Sequence, residues 1–150
     1  MQNLINQIKK DTKIIILGKE YLVKTKTWYS IEEDKNCSYI KCELSDNKVL
    51  VLIPDDDLIY IGEVIDNMQY ERISENDIRF ENRIFHKTGD GNQFIVNIEF
   101  GDETQVEGKC IFEDYENENN IISLGILTEK ENARADVFAE IIELNDIEIY

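Results

Sequence analysis

Few side chains in this sequence are equipped for covalent or metal chemistry. Its one histidine, His86, stands in Ile84-Phe85-His86-Lys87. Any Ser-His-Asp or Cys-His arrangement would have to use it, and no metal site could hold more than one imidazole. Its apolar neighbours read as a strand, so His86 is expected as a partly buried strand histidine rather than a general base. Cys37, Cys42 and Cys110 form no CxxC or ribbon-like spacing, which leaves a structural zinc site without its usual ligands. They are expected to be free thiols behaving as small hydrophobes. Asp55-Asp56-Asp57 after Pro54 resembles an oxygen-rich cation loop but lacks the alternating ligands, central Gly and distal Glu of an EF-hand. A solvated turn is the expectation there, with a carboxylate-held divalent cation, and hence an enzyme, as a minor alternative.

Two further stretches invite a functional reading. Gly89-Asp90-Gly91 is followed by Asn92 and a strand pattern, not by a helix N-terminus that could receive a phosphate, so it is expected to be a hairpin turn. The acidic run Glu113-Asp114-Tyr115-Glu116-Asn117-Glu118 sets an aromatic ring among carboxylates, a pattern suited to anchoring a partner. The aromatics Trp28, Tyr29, Tyr39, Tyr60, Tyr70 and Phe80 have little basic interleaving beyond Lys24, Lys26 and Lys41, so an oligonucleotide-binding surface is not expected. No catalytic residue, metal ligand set or cofactor site is assigned.

The elements that must carry these residues follow from periodicity. Leu4, Ile5 and Ile8 share a helical face, which predicts a short N-terminal helix. The period then changes to two. Lys13–Leu17 and Glu20–Trp28 are expected to form a hairpin over Gly18-Lys19, and Tyr39–Leu44 and Lys48–Ile53 a second over Ser45-Asp46-Asn47, with Ser30–Cys37 as a polar loop. Leu58–Ile65, Ile78–Phe80, Arg83–Lys87, Gln93–Phe100, Gln105–Tyr115 and Ile121–Leu127 read as further strands. Ala133, Val137, Ile141 and Leu144 sit at helical spacing, yet Val137–Leu144 and Ile147–Tyr150 also read as closing strands, and strands are preferred. The expected fold is mainly β, an antiparallel sandwich or barrel of about ten short strands with a short N-terminal helix. At 150 residues it is one domain, 1–150, within which two β-meander halves, about 12–65 and 77–150, are discernible.

Composition limits function. With 42% apolar and 9% aromatic residues the chain is globular despite a net charge of −16. The charge is uneven: residues 1–50 hold nine Lys against seven acidic groups, net +2, whereas residues 51–150 hold seven basic and 25 acidic groups, net −18. That field repels phosphate backbones and anionic membranes and favours basic partners, or it serves solubility alone. No basic stretch leads into an apolar run after Met1, and the apolar runs Ile14–Leu17 and Val49–Ile53 are too short to span a bilayer. A reducing, cytoplasmic setting is expected, in line with the odd cysteine count.

Thr12–Trp28, with Ile14, Gly18-Lys19-Glu20-Tyr21 and Val23, resembles the opening of bacterial domain-of-unknown-function family 4178. Phe100-Gly101, Val106-Glu107-Gly108-Lys109-Cys110, Asp114-Tyr115, Ile122-Ser123-Leu124 and Asp146-Ile147-Glu148-Ile149 are similar to that family's later motifs. The resemblance implies a compact bacterial β-rich domain without established enzymatic activity, often encoded near membrane-stress and phage-shock-type proteins. Val49-Leu50-Val51-Leu52 stands where the family tends to show a Trp-Leu pair, which puts a shared ligand surface in the first half in doubt.

The expected function is therefore a non-catalytic protein-binding or scaffold module. Glu107, Asp114 and Tyr115 are expected to meet another protein with a basic surface. An immunity or antitoxin-like protein neutralising a basic toxin is the alternative. Oligomeric state is not encoded in any motif. Crowding 25 acidic groups raises folded-state carboxylate pKa values, so the native state binds more protons than the unfolded one. Stability is thus expected to rise as pH falls from 7 towards about 5, and to rise when about 0.3 M NaCl screens the repulsion. Thermal melts at low salt check this; a midpoint that falls over that pH range, or ignores salt, overturns it.

Overall fold

The structure, a computed structural model, describes the backbone of residues 1–31, 34–101, 108–127 and 133–150. A helix α1 (Gln2–Gln7) leads into β1 (Lys13–Ile16) and β2 (Lys19–Leu22). Then follow β3 (Lys26–Ile31), β4 (Asp34–Glu43), β5 (Lys48–Ile53), β6 (Leu58–Val64), β7 (Glu71–Arg72), β8 (Asp77–Phe80) and β9 (Arg83–Phe100). The chain closes with β10 (Gly108–Asn117), β11 (Asn120–Leu127), β12 (Ala133–Arg134), β13 (Val137–Ile142) and β14 (Ile147–Ile149). The fold is mainly β and antiparallel, a two-layer sandwich, with fourteen strands among the described residues where about ten were expected.

One layer is the meander β3-β4-β5-β6; the other is β9-β10-β11-β13. The layers also pair with each other along both sides, β3 with β9 (Trp28 opposite Asn97) and β6 with β13 (Tyr60 opposite Ile141). Period-two alternation then gives each layer two apolar faces. In β5, Val49 and Val51 point between the layers, where they meet Tyr60, Ile121, Val137 and Ala139. Leu50 and Leu52 point outward, against α1 and the small sheet β14-β1-β2, with Ile5, Ile8, Ile14 and Ile16. The outer face of the second layer is covered by the β7-β8 hairpin, where Ile78 and Phe80 pack on Phe85, Tyr115, Ile122 and Leu124. Strands buried on both faces read as continuous apolar runs, which accounts for Val49-Leu50-Val51-Leu52.

A buried cation holds α1 in place. Lys26 is 2% exposed; its ammonium donates to the carbonyls of Ile5 at 2.8 Å and Ile8 at 3.3 Å and pairs with Glu99 at 2.9 Å. Trp28 Nε1 donates to the same carboxylate at 3.0 Å. Burial works against ionisation of Glu99, but these hydrogen bonds and the Lys26 charge prevail and hold its pKa below the usual range. No described helix is long and apolar enough to cross a membrane.

Several sequence expectations need correction. The strand expected over Glu20–Trp28 is two strands in different sheets, because after β2 the chain leaves the small sheet and re-enters pairing as β3 beside β9. Ser30–Cys37 is not a loop: β3 runs to Ile31 and β4 starts at Asp34. Gly89-Asp90-Gly91 is not a turn but lies inside β9. Against β10, the β9 register slips between the partners of Asp114 and Tyr115 and again between those of Cys110 and Phe112. Each slip inserts one extra residue on the β9 side, so the glycines sit between two β-bulges, which bend the strand. That bend lets β9 leave β8 and reach β3 along one edge while following β10 along the other. Residues 133–150 form strands, as preferred, since Val137 and Ala139 serve the interior while Phe138 joins the outer cluster.

The β6–β13 seam requires Gly62, since a methyl there would fall on the Phe138 carbonyl and 2.5 Å from the Ala139 Cβ. Gly62→Ala is expected to cost about 3 kcal/mol. Gly89→Ala, with nothing within 4 Å, is expected to stay within about 0.5 kcal/mol. Urea unfolding of both variants checks the contrast.

Candidate functional site

At one end of the sandwich the layers part around a cavity of about 550 Å³. Tyr39 of β4, Leu58 and Tyr60 of β6, Phe112 of β10 and Ile121 of β11 form its walls. Tyr39 spans the gap: it stacks on Tyr29 with centroids 4.4 Å apart and meets Phe112 of the opposite layer edge-on at 5.8 Å. A narrower space continues inward past Val51 and Val137 to the buried Lys41.

The mouth is acidic. Asp55 and Asp56 come from the 3-10 turn between β5 and β6, Asp90 from the bulged part of β9, and Asp114 and Glu116 from β10. On β10 the phase is set by alternation: Phe112, Asp114 and Glu116 turn inward. Ser123, directly opposite Asp114 on β11, hydrogen-bonds both its carboxylate and the Tyr60 phenol. A carboxylate only accepts, so the Ser123 hydroxyl donates to Asp114 and accepts from Tyr60. The other oxygen, Asp114 Oδ1, is screened from solvent and has no hydrogen-bond partner among the described residues. Burial pushes the Asp114 pKa up to about 6; the Ser123 bond opposes this, and Glu116 and Asp56 reinforce it. Burial also raises the Tyr60 phenol well above its ordinary value.

The expected site residues separate. Asp114 and Tyr115 are neighbours on one strand and face opposite sides, so they do not form one surface. Tyr115 is fully buried in the outer cluster, which corrects its expected role as an exposed anchor. Its hydroxyl donates to Glu113 at 2.6 Å and accepts from Arg72 Nη1 at 3.1 Å. Burial opposes ionisation of Glu113, yet Tyr115, Lys87 and Arg72 together lower its pKa. Glu107 lies outside the described residues.

His86 is on a strand as expected but exposed rather than partly buried, its Nδ1 2.6 Å from Asp77 across the β8–β9 pair. It is opposite Glu116 in register yet outside the cavity lining. Of the three thiols, only that of Cys42 is described; it is buried, and burial pushes its pKa up to about 12, which suppresses thiolate chemistry. The Asp55–Asp57 stretch is a turn, with Asp57 left-handed at φ 49°. No group of three metal-ligating side chains occurs among the described residues. Sequence reasoning missed Asp90, Phe112 and Ser123 and did not separate Glu116 from the rest of its acidic run, although the shared phase of Phe112, Asp114 and Glu116 was a readable signal.

A carboxyl group whose folded pKa lies above its unfolded value destabilises the fold at neutral pH, and the penalty fades as pH falls through about 6 towards 4. Asp114→Asn is therefore expected to stabilise the protein at pH 7 by on the order of 1 to 2 kcal/mol, with the gain shrinking towards pH 4.5. Urea midpoints of wild type and variant across that range check it.

No protein-family model matches the chain and no characterised protein or solved structure is significantly similar to it, so the resemblance to family 4178 rests on its own motifs.

Proposed function

We propose that the protein is a non-catalytic binding module whose partner is a protein with a basic surface, docking on the carboxylate-ringed end of the sandwich. The observation that carries this reading is the convergence of Asp55, Asp56, Asp90, Asp114 and Glu116, from separate elements, on one opening. Lys87 offsets the ring in part, reaching Asp90 at 3.9 Å and Glu113 at 3.7 Å. Such a ring speeds encounter with a cationic partner and rejects anionic ones. The surface differs from the one expected from sequence: Asp114 stays, at its inner margin, and Tyr115 leaves it.

Neutralisation of a basic toxin, the immunity-like reading, is favoured by the net charge of −18 over residues 51–150. A salt-sensitive complex on co-expression with a basic protein encoded nearby would select it over a scaffold role. A cytoplasmic setting, and the link to membrane-stress systems implied by family 4178, belong to the same proposal.

Asp55, Asp56 and Asp90 are exposed, so reversing them to Lys leaves the core untouched. Affinity capture from a lysate of the native host with the triple Asp→Lys variant is expected to recover at least about tenfold less of the partner than wild type, with a similar loss for wild type at about 0.3 M NaCl. Equal recovery by both proteins would remove the proposed surface.

A further inference from the structure

A docking surface requires the rim but not the chamber behind it. At about 550 Å³ the chamber falls in the range of small-molecule sites, roughly 300–1,000 Å³, and exceeds what a single lysine or arginine side chain fills. Its walls are aromatic and aliphatic at Tyr39, Ile53, Leu58, Tyr60, Phe112 and Ile121, and its carboxylates converge on the opening, with Asp114 at their inner margin. We propose that the space between the two sheets binds a small organic monocation, an ammonium group carried on an apolar or aromatic body, with Asp114 as its counter-ion. This goes beyond the docking reading, because a protein can engage the rim without entering.

The charge of the ligand follows from the site. Asp114 lines the chamber, and the groups that act on its buried carboxylate are Ser123, Glu116 and Asp56, none of them a cation, so its charge is costly until a cation arrives. An ammonium supplies both donor and charge. A carboxylate or phosphate ligand would meet Asp55, Asp56, Asp90 and Glu116 on entry, and a neutral ligand would leave Asp114 uncompensated. A divalent metal is disfavoured because the described residues offer no cluster of three ligating groups. Tyr39, Tyr60 and Phe112 line the same space, and aromatic side chains suit both an ammonium and an aryl body.

Orientation follows as well. Asp114 lies in the wider space with Tyr39, Leu58 and Phe112 lining it alongside, so the ammonium is placed at Asp114 with the body against those three side chains. The groups facing Asp114 are Glu116 on its own strand, Asp56 from the turn, Ser123 of β11, Tyr60 of β6, and Thr88 and Asp90 of β9. None of these is a cation at pH 7. With a pKa of about 6, Asp114 loses its charge on acidification, so affinity falls as pH drops from about 7.5 to 5.

Calorimetric titration of the whole chain with 2-phenylethylammonium and tryptammonium tests this, beside the neutral isostere 2-phenylethanol, the anion 3-phenylpropionate and N-acetyl-lysine methylamide. The expected result is at least one ammonium probe bound about tenfold or more tighter than the alcohol, no binding of the anion, and loss of the ammonium preference both at pH 5 and in Asp114→Asn. Equal affinity for amine and alcohol, no binding of either ammonium, or a preference that survives Asp114→Asn overturns the proposal. Binding of N-acetyl-lysine methylamide alone overturns it in favour of a pocket for a partner's side chain. Should the variant not fold, the amine–alcohol comparison and its pH dependence in wild type decide. Partner capture that persists without amine binding sinks the cavity site alone; amine binding without a rim-dependent partner sinks the docking reading alone.

Discussion

Everything in this fold depends on the two meanders being hydrogen-bonded to each other along both sides. The seams β3–β9 and β6–β13 supply partners to the outer edges of both four-stranded layers, which otherwise would present rows of open amides and carbonyls. One seam exists because Gly62 lets β6 approach Phe138 and Ala139 without a side chain between them. The other exists because β9 is long enough, and bent enough at its bulges, to serve three partners in succession. With both seams fixed, the interior cannot collapse to a flat contact. Val49, Val51, Tyr60, Val137 and Ala139 fill it at one level, and towards the β5–β6 turn it opens into the cavity.

The outer faces are apolar too, and each is covered by a different device. On the first layer α1 and the small sheet lie over Leu50, Leu52 and Ile59, with Lys26 tying the helix carbonyls to Glu99. On the second, the β7-β8 hairpin covers Phe85 and Tyr115. Its Arg72 ties the hairpin to Glu113 and Tyr115. Both devices pair a carboxylate with a cation and add a hydrogen bond to that carboxylate from an aromatic side chain, Trp28 in one case and Tyr115 in the other. The excess of acid is thus not spread evenly in its effects. Glu99 and Glu113 gain from ionisation, and their contribution is lost as pH falls through their lowered pKa values. Asp114 works in the opposite sense, at a position where a buried charge costs stability. Perturbed groups of the second kind gather at binding and catalytic sites, where stability yields to function.

Local chemistry in the sequence located the hairpins whose turns are short: Ser45–Asn47, with Asp46 and Asn47 left-handed, Glu118-Asn119, and the one at Gly18. The turn of the last is Leu17-Gly18, both at positive φ, and not the expected Gly18-Lys19, because Ile16 pairs with Lys19. Period-two patterning and regularly spaced turn residues determined the mainly β, antiparallel class, whereas which of Val49, Leu50, Val51 and Leu52 turn inward is set by the layers they pack between. The same alternation already implied that Asp114 and Tyr115 face opposite ways. What only the tertiary structure decided is partner choice. Whether Glu20–Trp28 is one strand or two depends on β9, some seventy residues away, and whether Gly89-Asp90-Gly91 turns or runs on depends on β8, β10 and β3 being spaced for a bent strand. The cavity is of this kind as well. Tyr39, Tyr60, Phe112 and Asp114 are apolar or charged strand residues with nothing unusual in their local sequence, and they become one site only because non-local pairing sets their strands around a common space.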